Sequence, residues 1–294
     1  MDDTHIGTLG RHTLDVGDAL HRDEIDVHFQ PKVDLRSGRV IGVEALARWE
    51  HPDRGLLPAA EFIRTVESDA QMRSLTERVL QISAQAAGDW WRSGLRLHLS
   101  VNLPAIAISS TDWDLATFVY SSLSTAGVPG KAIQFDVTED ALLLDPEQVT
   151  KRLARFVELG GGLSIDDFGT GYFSLRQLLE LPIDELKIDR SLIMDLDGDE
   201  SRTIVRAIIH LAHQVGLPVV AEGVETRDGW QQLRSMGCER AQGFLISPPI
   251  PSREVPAWLA SWNQRARELS FATRGRRRRR RIAKQATAPA EATA

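Results

Sequence analysis

Eight short runs of apolar or alternating residues, bounded by Gly, Pro or Asp, recur along the chain with stretches of helical periodicity between most of them. They predict strands over 26–34, 39–46, 95–102, 132–138, 162–167, 184–188, 218–222 and 240–245. Helices are predicted over 59–69, 72–92, 112–126, 146–159, 174–180, 200–215, 226–236 and 252–266, with a short one near Leu14 to His21. Eight strands in βα alternation specify an α/β fold, a TIM (β/α)8 barrel. One joint breaks the rule. Only Arg36-Ser37-Gly38 and their neighbours separate the first two runs, whereas a parallel crossover needs about a dozen residues or more. The expectation is a modified barrel with an antiparallel first strand, spanning 12–266, between an N-terminal tail (1–11) and an Arg-rich disordered C-terminal tail (267–294).

At 294 residues such a barrel buries a core without disulfides, and the single cysteine, Cys238, reads as a buried thiol. No apolar run approaches the roughly 18 residues of a membrane span and the start is acidic, so the chain is read as cytoplasmic. The net charge of −6 divides unevenly: residues 274–294 hold seven Arg, one Lys and one Glu, leaving about −13 on the body and about +7 on the tail. An acidic body argues against nucleic-acid binding by the barrel. The Arg276 to Arg281 run reads first as a solvated tail, with contact to nucleic acid or an anionic surface as the lesser alternative.

Alternate strand residues point to opposite faces, so in 95–102 Leu97, Leu99 and Val101 turn toward helices while His98, Ser100 and Asn102 turn inward. In 132–138 the inward set is Gln134, Asp136 and Thr138. Polar inward residues near strand C-termini are costly in a barrel unless they bind something. The last inward residues of the strands are Glu44, Asn102, Asp136, Asp166 with Asp167, Lys187 with Asp189, Glu222, and Gln242. Two carboxylates about 4 Å apart repel by roughly 4 kcal/mol at an effective dielectric of 20, so the set calls for a divalent cation. Carboxylates with an Asn carbonyl and no clustered Cys or His suit Mg2+ or Mn2+ rather than Zn2+, and the Asp166-Asp167 pair is the natural centre of two ions. Two such ions suit hydrolysis of a phosphodiester.

The motifs Glu44-Ala45-Leu46 with Arg48 and Trp49, Val101-Asn102-Leu103, Asp166-Asp167-Phe168-Gly169-Thr170-Gly171-Tyr172, Lys187-Ile188-Asp189, Ala221-Glu222-Gly223-Val224-Glu225 and Gln242-Gly243 follow in unbroken order. Over roughly residues 12–262 the chain resembles the EAL-domain family of cyclic di-GMP phosphodiesterases. The resemblance implies hydrolysis of cyclic di-GMP to linear pGpG with two Mg2+ or Mn2+ ions, in a barrel that commonly forms a homodimer. It implies Glu44, Asn102, Asp136 and Asp166 as ligands of one ion, with Asp166 bridging to a second held by Asp167 and Glu222. Lys187 then orients the water, Glu222 is the general base, and Asp167 completes the catalytic set. Arg48 grips phosphate, Gln30, Leu46, Asp189 and Gln242 meet substrate or support the pocket, and Glu139 anchors the loop after Asp167. With no sensor motif ahead of the barrel, the expected input is a regulatory protein partner, assembly or ligand supply.

Four positions depart from the family: Asp136 for Glu, Phe173 for a small Ser, Pro104 for Ser and Pro249 for Arg. One methylene fewer at 136 shortens the reach by about 1.5 Å, giving an expectation of weaker metal affinity and a preference for Mn2+. A second reading makes the chain a catalytically impaired barrel, a cyclic di-GMP receptor or a protein-interaction module. Three other features carry plainer readings: His210 and His213 pack or hydrogen-bond, Trp90 and Trp91 belong to the core of a helix, and Gly160-Gly161-Gly162 is a turn.

Overall fold

The computed structural model describes residues 14–110, 112–143, 146–171 and 175–266. The expected tails at 1–11 and 267–294, and Phe173, lie outside them. Among these residues ten strands form one sheet: β1 (Ile25–Asp34), β2 (Val40–His51), β3 (Gly55–Pro58), β4 (His98–Leu103), β5 (Ile133–Thr138), β6 (Gly162–Phe168), β7 (Glu185–Ile188), β8 (Val219–Ala221), β9 (Arg240–Ala241) and β10 (Ile250–Pro251). Pairing runs in parallel from β2 through β4, β5, β6, β7 and β8 to β9, and β1 closes the ring antiparallel to both β2 and β9. The eight predicted strands are therefore the barrel, and its first strand runs backwards as the short 36–38 joint requires. β3 and β10 are two-strand extensions that pair antiparallel with β2 and β1. They are too short to show periodicity, as are the additional helices Ala105–Ser109 and Arg190–Met194.

Helical segments wrap the ring, the longest being Asp69–Arg92, which starts on Ser68 accepting a hydrogen bond from the Gln71 amide. Its inner face contributes Leu80, Ala84, Ala87 and Trp90 to the main core, where Trp90 meets Phe29 of β1 edge-on at 4.8 Å. Outward-facing strand residues fill the same layer: Leu99, Val101, Phe135, Val137, Leu163 and Ile165 are buried. A smaller core around Trp49, Phe62 and Val16 seals the β2–β3 side. Trp91 is half-buried under the Arg96 guanidinium, His213 meets Glu239 at 2.7 Å, and Gly160 turns with φ +83° between helix and β6. Among the described residues no helix is long and apolar enough to cross a membrane.

With apolar residues committed outward, the barrel lumen receives the polar alternates. Phe135 shows the division: it is fully buried against Phe156 at 4.7 Å, while its neighbours Gln134 and Asp136 point inward. Phe135→Ala is expected to destabilise the chain by about 3–5 kcal/mol in denaturant unfolding, the cost of an aromatic-sized core cavity. A loss under about 1 kcal/mol contradicts this layer assignment.

Candidate metal-binding active site

The C-terminal ends of the parallel strands bring the predicted carboxylates to one rim. Glu44 leaves β2, Asp136 leaves β5, Asp166 and Asp167 end β6, Lys187 leaves β7 and Glu222 follows β8. Two neighbouring residues of a regular strand face opposite ways, yet Asp166 and Asp167 both serve the rim. The β6–β7 register shifts between Ile165 and Phe168, and Asp167 has φ +55°, which swings its side chain round. A positive φ is uncommon for a residue with a Cβ, and Asp is among the few that tolerate it. The turn lets the Asp167 amide donate to Asp166 Oδ1 at 3.0 Å.

Lys187, fully buried, stands at the centre. Its Nζ lies 2.7 Å from Glu222 Oε1, 2.9 Å from Asp166 Oδ2, 3.1 Å from Asp136 Oδ2 and 3.6 Å from Glu44 Oε1. Burial alone would strip its proton, but the four carboxylates outweigh it and hold the ammonium well above its ordinary pKa. One cation does not neutralise the cluster. Burial, reinforced by Glu44 and Asp166 against the pull of Lys187, pushes Asp136 up to about 7. Burial and the neighbouring Asp166 and Asp189 push Asp167 up to about 6. Glu222 is held well above the usual carboxylate range by burial and by Asp166 and Glu44. Burial also opposes ionisation of Glu44, but Lys187 and hydrogen bonds from Asn102 and Gln242 bring it below the ordinary value.

The carboxylates divide into two groups, Glu44 with Asp136 and Asp166, and Asp166 with Asp167 and Glu222; within each, one oxygen per residue lies within 4.8 Å of the others. Asp166 belongs to both. Both oxygens of Asp136 are buried and accept no well-formed hydrogen bond from the described residues, although Oδ2 is near Lys187. Buried carboxylate oxygens are rarely left so. Hard oxygen donors with unspent lone pairs fit a divalent cation of the Mg2+ or Mn2+ kind. Asp136, despite its shorter side chain, reaches the first group.

A chain of amides supports this rim. Asn102 donates to Glu44 Oε1 at 2.8 Å, Gln242 Nε2 donates to Glu44 Oε2 at 2.6 Å and Gln30 Oε1 at 2.9 Å, and Gln30 donates to the Ser247 carbonyl. Gln30 and Gln242 thus fix Glu44. Arg48 donates to the carbonyl of Ala47 and is buried, and Leu46 lines a cavity of about 160 Å³ beside the carboxylates. Asp189 caps the helix Arg190–Met194, accepting from the Ser191 amide at 2.8 Å, and lies against Asp167. Buried Glu139 accepts from the Gly169 amide at 3.3 Å; Gly169 has φ +103°, and a Cβ on Gly171 would sit 2.8 Å from Glu139 Oε1. The two glycines let the loop close over that carboxylate.

Glu225, the last residue of the Ala221–Glu225 motif, also lines the cavity, as do Arg190 and Phe244, which were not foreseen. β9 ends at Ala241 rather than 245, because Gly243 turns with φ +154° where a Cβ would strike the Val224 backbone at 2.2 Å. Phe244 is thereby turned out, 61% exposed at the cavity wall. The Gly after Gln242 was the available signal.

The fold and rim define a modified (β/α)8 barrel with a carboxylate centre that could hold divalent cations. The EAL domain family model matches residues 14–249, and the chain belongs to that family. It is 37% identical over 235 residues to the Pseudomonas aeruginosa protein named cyclic di-GMP phosphodiesterase PA2567, covering 79% of this chain and 39% of the relative. It is 39% identical over 246 residues to cyclic di-GMP phosphodiesterase NbdA of the same species, covering 83% and 31%. The chain therefore spans about a third of the length of these relatives. A solved complex of the PaMucR phosphodiesterase with c-di-GMP matches with a TM-score of 0.78 and 37% identity, over 82% of this chain and 98% of that one.

An ordinary aspartate ionises near 3.8, whereas Asp136 keeps its proton to about 7. Between those values the folded chain binds protons more tightly than the unfolded chain, so stability without divalent cation falls as pH rises. In chelator, the thermal midpoint of the wild type is expected to fall more steeply between about pH 4 and 7 than that of Asp136→Asn. Equal slopes contradict the raised carboxyl.

Proposed function

We propose that the chain hydrolyses cyclic di-GMP to linear pGpG. The observation that carries this is the sharing of Asp166 by two carboxylate groups around one buried lysine, in a barrel that aligns with a c-di-GMP-bound phosphodiesterase. Water attacks one phosphorus, its P–O3′ bond breaks, and the product has a free 3′ hydroxyl and a 5′ phosphate. Glu44, Asn102, Asp136 and Asp166 would hold one Mg2+ or Mn2+, and Asp166, Asp167 and Glu222 the other. Such a pair stabilises the attacking and leaving oxygens and lowers the pKa of the attacking water.

This chain's own groups do the rest. Lys187, held by Asp166 and Glu222, orients the water and keeps the carboxylates from repelling one another. Glu222, with 17% of its side chain exposed, lines the cavity; its raised proton affinity suits a general base, and it would accept the proton when the cations and Lys187 keep it ionised. Arg48 offers a guanidinium fork to a phosphate oxygen. Gln30, Leu46 and Gln242 shape the wall, Asp189 stands against Asp167, and Glu139 sets the loop that carries Asp167. Asp136 reaching Glu44 and Asp166 supports turnover over mere ligand retention.

Purified protein with cyclic di-GMP and Mg2+ or Mn2+ is expected to form pGpG, and Asp167→Asn or Lys187→Met to slow it by about 100-fold or more. Binding in Ca2+ without turnover in Mg2+ or Mn2+ would instead favour a receptor, and absence of both an interaction module.

A further inference from the structure

The opposite end of the barrel holds a second cavity, of about 750 Å³, within the range of small-molecule sites. It opens at the N-terminal ends of the parallel strands, where Gly42, His98, Ile133, Gly162 and Glu185 begin or enter β2, β4, β5, β6 and β7. The active-site residues leave the other ends of the same strands. Among the described residues the two sites share no lining residue.

Its lining is cationic in a chain whose body is acidic. Lys32, Arg39, Arg96, Lys131 and Arg240 face it, against Asp184 and Glu185. The floor is internally satisfied: Lys32 Nζ, almost fully buried, donates to Glu185 Oε1 at 2.6 Å, Ser100 Oγ at 3.1 Å and Gln134 Oε1 at 3.3 Å. Arg240 pairs with the other oxygen of Glu185. Glu185 is thus shared by two cations, and its carboxyl is held below the usual range: burial opposes ionisation, but Lys32 and Arg240 outweigh it. Asp184 accepts from the Leu163 amide. Above this floor Arg39, Arg96 and Lys131 are exposed, and none forms an ion pair among the described residues. Arg96 is braced over the Trp91 ring, 4.4 Å from its centre.

We propose that this N-terminal mouth is a second ligand site, for a small molecule carrying two or more phosphate charges. Three unpaired cations above a floor whose charges balance (Lys32 and Arg240 against Asp184 and Glu185) match a di- or triphosphate better than a monoanion, since guanidinium and ammonium groups both take phosphate oxygens. His98 lines the same cavity: partial burial first, then Arg240 and Lys32, hold its imidazole below the usual value, against Glu185. The described chain ends at Ala266, packed on Gly38 beside Arg39, and the Arg276 to Arg281 run, which follows ten residues later in the sequence, must be separated from the mouth in any test.

The test is calorimetric titration of the full chain, without added divalent cation, with inorganic pyrophosphate and with ATP. Both probes are expected to bind with dissociation constants below about 1 mM. The combined substitution Arg39→Ala, Arg96→Ala and Lys131→Ala is expected to weaken binding at least about tenfold. Asp166→Asn, and Gln at all six positions 276–281, are expected to leave it unchanged. Tighter binding of ATP identifies a nucleotide site and equal binding a polyphosphate site, and both support the proposal. Absence of binding, binding that survives the triple substitution, or binding lost with Asp166→Asn or with the tail arginines overturns it. Titration of His98 by NMR adds a local readout: its pKa rises when pyrophosphate is present, and an unmoved His98 counts against the site.

Discussion

The ammonium of Lys187, enclosed with Glu44, Asp136, Asp166 and Glu222 within hydrogen-bonding or ion-pair distance, is the interaction on which the rim depends. In a low-dielectric lumen these carboxylates repel one another strongly, and a single positive charge reduces the repulsion without cancelling it. The remainder is relieved by proton uptake at Asp136 and Asp167 and by amide donors on Glu44. A cluster balanced in this way is under-neutralised by construction, which is the electrostatic condition for capturing divalent cations.

The same economy appears at the other end. Lys32 and Glu185 are also buried in the lumen, but there the balance is inverted, with two cations on one carboxylate. The barrel interior is therefore polar along its length rather than filled with branched apolar layers, and its core lies between sheet and helices. Lys32 contributes to the potential at both Glu44 and Asp136, so the two ends are electrostatically connected through the lumen.

Most of the fold was legible because two periodicities coexist in the chain. Alternation in β4 and β5 set the apolar side against helices and the polar side inward, and the 36–38 joint forced the reversed first strand. Strand-end parity then predicted the rim as a set. Parity could not assign Asp166 and Asp167 together, because their shared direction depends on a backbone irregularity and a positive φ. Nor could it find Phe244, whose exposure follows from the turn at Gly243. The cationic mouth was not legible because Arg39, Arg96, Lys131 and Arg240 lie at strand beginnings and in joints, where charged side chains ordinarily face solvent.

The shared position of Asp166 makes cation stoichiometry the most direct measurement. Calorimetry or Mn2+ paramagnetic resonance on the full chain is expected to count two ions per chain. Asp136→Asn should weaken one of them, and Asp166→Asn should weaken both. One ion or none in the wild type, or two ions bound undiminished by Asp166→Asn, would contradict a centre built around a common carboxylate.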